Sequence, residues 1–498
     1  MRTAHKDILW PDAGWRTVHP APRAESLGGH YAACDLANVR PAPPGAGFRR
    51  LGGSRAGLVP LGAAAEIDAT WEWPGSSGAI EWTHPDSSAP PDVIQIPAAV
   101  RIIAAPHATL RVHERGPVAI AGDGAPSSAV CPCLWRGRHV AGDGAMVRFS
   151  AIGDFSDWSL LRCGQSPAAP CALVPAPAGR GADAAPVTAI VPWGDALLLA
   201  ATADTLSLLT GDPASGSLAL LSDRIGILSP SAWCSDGSAV WFLSREGLCR
   251  IVPGAGPPVQ ITASVLPDLW RGLDPAAWHF SLAWSAWERG VYVSATPRDA
   301  TKRGVHAFID PGGSGDSPPT VWPDEYASLQ HEPVEMATAI FDTPTRHPRV
   351  ALKGRDGAWR VHDAAASADD GATLASRILL GPIRAAGNAG ESAFAAELET
   401  SFASQGSAVS LCISASDAPE ALLSSSGGFG GLPPGRLAAS PVRSSTFTLP
   451  ATSSGPIRHP VLRPRLRGAW CTLRLSATAP WSLDTLRLTS RSTGRFRP

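Results

Sequence analysis

Short apolar runs broken by turn residues recur along this chain from about Ile67 to its C-terminal region. Ala69-Thr-Trp-Glu-Trp73, Ala79-Ile-Glu-Trp82, Val93-Ile-Gln-Ile-Pro97 and Val100-Arg-Ile-Ile-Ala104 alternate apolar with polar positions. A period of two marks half-buried strands, because successive side chains point to opposite faces. Strand pairs are predicted near 93–112, 139–149, 187–210, 225–252, 280–310, 338–363, 394–416 and 461–490. Spacings of this size suit propeller blades of roughly four short strands each. The expected fold is therefore all-β: a β-propeller of about six to seven blades over 61–498, closed by the C-terminal strands. An extended, Pro-punctuated arm is expected over 1–60, with long Pro/Gly-rich loops near 164–186 and 418–440. A shorter loop is expected over Pro311–Pro319, and Ile261–Trp270 is the one short helix the pattern suggests.

Turn chemistry supports the strands. Asp-Gly occurs at Asp123-Gly124, Asp143-Gly144, Asp236-Gly237, Asp356-Gly357 and Asp370-Gly371, and both residues tolerate the positive φ of tight hairpins. A calcium loop needs several closely spaced oxygen ligands. The repeated Ala-Gly-Asp-Gly-Ala stretches at 121–125 and 141–145 supply one carboxylate each, so turns are the expectation.

Composition narrows the classes. At 498 residues the chain is too long for one ordinary core unless the architecture is repetitive or closed. Gly 50 and Pro 48 are scattered between apolar runs, which suits many turns rather than a disordered polymer. Eighteen Trp favour packed sheet faces. The net charge of −1 argues against global attraction to DNA or acidic membranes. Locally, Asp310–Glu420 carries 16 acids against 7 bases, and Arg458–Arg497 carries nine Arg and one acid. Nine cysteines at irregular spacing, with no Cys-x-x-Cys, exclude a disulfide framework or structural zinc as the expectation. Met1–Pro11 lacks the apolar stretch of a signal peptide, and no run approaches the ~20 apolar residues of a membrane span. Folding in a reducing cytoplasm, without a membrane anchor, is expected.

Catalytic motifs are sparse. Gly52-Gly-Ser-Arg-Ala56 misses the nucleophile elbow by its last residue. His331-Glu-Pro-Val-Glu335 begins like a zinc-protease helix, but Glu335 replaces the second His and Pro333 interrupts the turn. Neither a P-loop nor a dinucleotide fingerprint is present. Ser235-Asp-Gly-Ser-Ala-Val-Trp241 lacks one residue of the sialidase-type Ser-x-Asp-x-Gly-x-x-Trp turn. The expectation is a chain with no enzymatic activity, no cofactor and no metal. The alternative is a secreted β-propeller glycoside hydrolase of sialidase type, or a carbohydrate-binding propeller, since sequence cannot pair two carboxylates in space.

One segment is more specific. Arg148-Phe-Ser-Ala-Ile-Gly-Asp-Phe-Ser-Asp-Trp158 is followed by Val187–Trp193, Leu206-Ser-Leu-Leu-Thr-Gly-Asp212 and Val240-Trp-Phe-Leu-Ser-Arg-Glu-Gly247. Ala351-Leu-Lys-Gly-Arg-Asp-Gly-Ala-Trp359, Leu466-Arg-Gly-Ala-Trp470 and Trp481–Arg487 come next in order. From about Leu134 to Arg497 this set resembles the β-propeller nozzle or hub (packaged-DNA stabilisation) proteins of short-tailed bacteriophages. Residues 60–130 match no blade of that family. The resemblance implies a homo-oligomeric ring, typically a hexamer, below the portal and adaptor proteins, next to a tail fibre or tailspike. The ring would retain double-stranded DNA and conduct it at ejection without sequence-specific binding. It implies a virion location after synthesis in the host cytoplasm.

The Arg-rich stretch supplies the candidate docking residues. Arg463, Arg465 and Arg467 alternate with Pro464 and Leu466, so in a strand they would share one face, extended by Arg474 and Arg487 on neighbouring strands. Like charges at that spacing repel unless water or an acidic partner meets them. A neighbouring subunit, through its acidic 310–420 region, or the adaptor is the expected partner.

Overall fold

The computed structural model describes residues 3–7, 33–41, 52–54, 57–60, 70–72, 78–83, 92–96, 101–103, 109–112, 124–126, 129–154, 157–175, 184–262, 273–286, 288–311, 319–340, 348–363, 366, 368–384, 391–404, 408–417, 422, 442–451, 457–479 and 481–495. The chain is all-β and of the β-propeller class expected: among the described residues the elements are strands, with the single-turn 3-10 helices Leu160–Arg162 and Leu329–His331 and a helical position at Leu422. The helix suggested at 261–270 falls almost wholly outside the described residues. Two compact units divide the chain: 1–59 with 307–328 and 362–498, and 60–306 with 329–361.

The second unit holds consecutive four-stranded meanders. The first runs Val130–Trp135, Arg138–Asp143, Met146–Phe149, Cys171–Leu173. The next runs Ala189–Trp193, Leu197–Ala201, Leu206–Thr210, Ser217–Ser222. The third runs Trp233–Ser235, Val240–Ser244, Gly247–Ile251, Val259–Gln260. Strands in the middle of a blade are covered on both faces, so all five residues of Val240–Ser244 are buried, whereas both residues of the last strand, Val259–Gln260, are exposed. One core cluster joins the first two meanders through Trp135, Val140, Phe149, Cys171, Ile190 and Leu198. Trp241 and Trp284 stack at 5.6 Å, with Arg250 5.4 Å over Trp241. Gly78–Thr83 pairs with Asp92–Ile96 and Thr109–Val112, so the strands near 93–112 flank a third strand instead of pairing with each other.

The first unit is built from both ends of the sequence. One sheet orders Ala33–Ala37, Ser376–Arg384, Trp470–Ala477, Val409–Ser416 and Arg443–Leu449. Another orders Val39–Pro41, Gly52–Ser54, Trp481–Arg495, Glu391–Ser404 and Ile457–Leu462, with Thr3–Asp7 on Trp481–Arg495 and Leu466–Gly468 on Glu391–Ser404. The strands near 394–416, expected as a pair, belong to different sheets. The long-range ladder between Glu391–Ser404 and Trp481–Arg495 prevails because it sets Leu398 opposite Leu488, both buried. Residues 33–41, expected within an extended arm, are extended but stitched in. Asn38, at φ 55°, donates to Ala375 O at 2.7 Å and accepts from Glu325 N at 2.9 Å, and Arg40 meets Asp324 at 2.7 Å. At Gly468 a Cβ would lie 2.7 Å from Ser416 N, so only glycine fits this close approach.

Candidate functional site

The Arg148–Trp158 segment is an anchored loop. Trp158 is fully buried against Ala129 and Ala141. Arg148 lies beneath it, donating to Trp158 O at 2.8 Å, Gly124 O at 2.5 Å and Asp143 Oδ2 at 3.1 Å. Ser150 Oγ accepts His139 N–H at 2.9 Å, and Ala151 N–H donates to Asp157 O at 2.9 Å. Gly153 takes φ +73° at the turn, where Ala151 and Asp154 form an isolated bridge. Arg148, Ser150 and Asp157, polar residues that single this segment out in the sequence, are thus used on the fold itself.

Arg138, which sequence reasoning missed, holds the far side of the same loop. Its guanidinium is fully buried and donates to Ser150 O at 2.6 Å, to Ala169 O at 2.9 Å and to Pro167 O. Nothing in the sequence separates it from the exposed Arg136 two residues earlier. The loop leaves apolar side chains outside, with Leu161 90% exposed, Ile152 45% and Leu160 38%, next to the exposed Arg162, Gln165 and Ser166.

A second polar cluster is sealed. Ser294 Oγ lies 2.8 Å from His306 Nδ1, and His306 Nε2 lies 3.9 Å from Glu332 Oε1. These are the residue types of an acyl-transfer triad, but all three are buried and Ser294 also donates to Pro333 O at 2.8 Å. Glu332 Oε2 accepts from Arg355 Nη2 at 2.6 Å and from Gly304 N at 3.0 Å. Burial pushes the Glu332 carboxyl up, yet His306, Arg355 and the Gly304 N–H outweigh it and hold the group below the usual glutamate range. Arg355 also donates to Asp299 O and Lys302 O, at 3.0 and 2.7 Å. The cluster therefore fastens the 299–304 turn to the 354–357 turn.

Asp236 is likewise spent on its own hairpin. It accepts from Trp241 Nε1 at 2.8 Å, Ser238 N at 2.7 Å and Ala239 N at 2.7 Å. Burial pushes the Cys249 thiol up to about 12 and the Cys171 thiol up to about 11, so neither is a ready thiolate. Among the described residues no group of three or more His, Cys, Asp or Glu is placed to hold a metal ion. No described helix is long and apolar enough to cross a membrane.

The candidate docking arginines do not form one face. Exposure alternates as expected, with Arg463, Arg465 and Arg467 exposed and Pro464 and Leu466 buried. However, 463–465 link two strands, and Arg465 takes φ 52°, outside the extended range. Arg463 and Arg467 border the Glu391–Ser404 strand, and Arg487 sits on Trp481–Arg495 opposite Glu399. Arg474 lies in the other sheet, between Leu379 and Cys412. One of these charges meets an acid of the same chain, Glu397 approaching Arg463 at 3.9 Å.

No family model matches this chain, and no curated protein matches it. Similar solved structures include the extracellular domain of a candidate one-component system from B. thetaiotaomicron, 11% identical, covering 84% of this chain and 58% of that one at a TM-score of 0.28. A glycoside hydrolase family 43 arabinoxylan arabinofuranohydrolase from Bacillus subtilis, in complex with cellotetraose, is 10% identical, with coverages of 84% and 80% and a TM-score of 0.20. A glycoside hydrolase of family 32 from Bifidobacterium adolescentis is 9% identical, with coverages of 89% and 100% and a TM-score of 0.16. The chain thus spans less than two thirds of the first of these. The expectation of a chain without enzymatic activity is corrected on this finding, because two of the three are glycoside hydrolases. None of the three is a phage tail protein. At these TM-scores they assign no substrate and no residue to this chain.

Proposed function

We propose that the chain is a nozzle- or hub-type propeller of a short-tailed bacteriophage tail. It assembles as a ring below the portal and adaptor proteins, beside a tail fibre or tailspike, and retains packaged DNA until ejection. The observation that carries this reading is the ordered motif set from Leu134 to Arg497, headed by Arg148–Trp158. Arg148, Ser150 and Asp157 of that segment interlock in one anchored loop, so these residues act as a structural unit rather than as scattered turn residues. A near-neutral chain also suits a DNA channel, since each neutralised phosphate would add grip through counterion release.

The rival reading is a propeller glycoside hydrolase or carbohydrate-binding propeller. One preparation tests both. The full chain, 51.6 kDa as a monomer, is imaged by negative stain, sized in solution and incubated with arabinoxylan. Closed rings whose mass is a multiple of the monomer are expected. A monomer that releases sugar, with release abolished by replacing a single Asp or Glu, overturns the tail reading in favour of the hydrolase.

A further inference from the structure

Alternation gives the two faces of the sheet formed by Ser376–Arg384, Trp470–Ala477 and Val409–Ser416 opposite chemistry. Ile378, Leu475 and Leu411 are cross-strand partners on one face, and all three are buried. On the other face Arg377 stands opposite Ser476, and Ser476 opposite Ser410. These three side chains form a row across three strands, about 4.8 Å from strand to strand. Ala375, Thr478 and Ala408, two residues beyond each of them, line the same open hollow, whose volume is about 350 Å³. That is the size class of a small-molecule site, and it exists because every one of these side chains except Arg377 is small.

The hollow is polar without being charged. The hydroxyls of Ser410, Ser476 and Thr478 meet no hydrogen-bond partner among the described residues. Ser410 and Ser476 are nevertheless half-buried, where a hydroxyl left unpaired is costly. Arg377 is neutralised, its Nη1 and Nη2 donating to the two carboxylate oxygens of Glu325 at 2.8 and 2.6 Å. This bidentate geometry fixes both groups. Ser376 lines the hollow as well and is held from behind, its Oγ accepting Trp481 Nε1–H at 2.7 Å. A wall that is already ordered loses little conformational freedom on binding.

We propose that this hollow binds a short neutral saccharide and seats one pyranose ring on the row of hydroxyls. Serine and threonine hydroxyls both donate and accept, and the ring hydroxyls of a sugar answer them in kind at a spacing comparable to that of neighbouring strands. An anion is disfavoured, because Glu325 already holds the guanidinium and adds its own negative charge. An apolar ligand would leave three hydroxyls without partners. No aromatic ring lines the hollow among the described residues, so binding is expected to be weak, with a Kd of about 1 mM or above. The hollow belongs to a single compact unit of one chain, so it stands or falls apart from the ring reading.

The full chain is titrated with the methyl pyranosides of glucose, galactose and mannose, with glucuronate and with inorganic phosphate, and binding is followed by saturation-transfer NMR. Saturable binding of at least one methyl pyranoside is expected, ahead of glucuronate and phosphate. Ser410→Val and Ser476→Val suit a strand and should each weaken that binding about tenfold, the effect of one lost hydrogen bond. Ala408→Leu, at an exposed position, should fill the hollow and abolish binding. All three should keep the wild-type circular dichroism. Glu325→Gln leaves Arg377 as a net cation and should reverse the order, placing glucuronate ahead of the neutral sugars. Three outcomes overturn the site: no saturable pyranoside signal up to about 50 mM in the wild type, phosphate bound ahead of every pyranoside, or pyranoside binding unchanged in Ala408→Leu and both valine variants.

Discussion

Replacing Arg138 by methionine removes a buried charge while keeping much of the side-chain volume, and its cost follows from the acceptors left behind. The guanidinium is fully buried and serves the carbonyls of Ser150, Ala169 and Pro167. Hydrogen bonds to a charged group contribute about 1.5–3 kcal/mol each, so a plain sum would exceed 5 kcal/mol at its middle, roughly. Two corrections reduce it. Pro167 is exposed and Ala169 partly so, which lets water replace the lost donor at both carbonyls. Removing the ion also relieves a desolvation cost of several kcal/mol, roughly. Ser150 is fully buried, and its carbonyl keeps most of the penalty of an unmade bond, about 1–3 kcal/mol. The expected net loss is about 3 kcal/mol, or about 6 °C in Tm for a domain of this size. Hydrogen exchange should speed up at Ile152, Cys163 and Ala169, whose amides bond within the loop. Arg138→Lys keeps the charge but cannot span the fork, so it should recover less than half of the loss. If Arg138→Met melts within 1 °C of the wild type, roughly the scatter of such a scan, and those amides stay protected, the carbonyl cradle does not hold the loop.

Two further outcomes are expected. Glu332 is held below its ordinary value of 4.5, so it adds stability above that pH and loses it as pH falls through the lower folded value. Urea unfolding below about pH 5 should therefore show a steeper loss in the wild type than in Glu332→Gln, which should itself cost about 3 kcal/mol near neutrality by leaving Arg355 without its carboxylate; parallel pH profiles for the two proteins would refute the assignment. Reversing Arg463, Arg465 and Arg467 to Glu should change Tm little, because the exposed Arg463–Glu397 pair, at 64% and 31% side-chain exposure, contributes at most about 1 kcal/mol. If these arginines dock a neighbour or the adaptor, attachment to the head should fail in the triple variant, and infectious particles carrying it would return them to a solvated face.

What the sequence discloses here is strand and face, and what it withholds is partner. Alternation at Arg463–Leu466 correctly separates exposed from buried positions, yet it is silent on Arg474 lying in a different sheet. The Asp370-Gly371 turn is legible because both residues take positive φ, 49° and 80°, as a tight hairpin demands. The pairing of Ala33–Ala37 with Ser376–Arg384 is not, since a strand's pattern is the same whichever edge it joins. Buried arginines are the least legible of all. In a chain where nearly every base is Arg, the guanidinium that stitches a loop from within looks identical to one in water. Only its acceptors distinguish them, and those are carbonyls that any sequence supplies. The same holds for the apolar tip: Leu160-Leu161 reads as core material until Trp158, three residues earlier, is found to take the buried place and leave the leucines outside. Function hidden in such a fold is therefore to be sought where firm internal support ends in an unsatisfied surface, rather than in a motif.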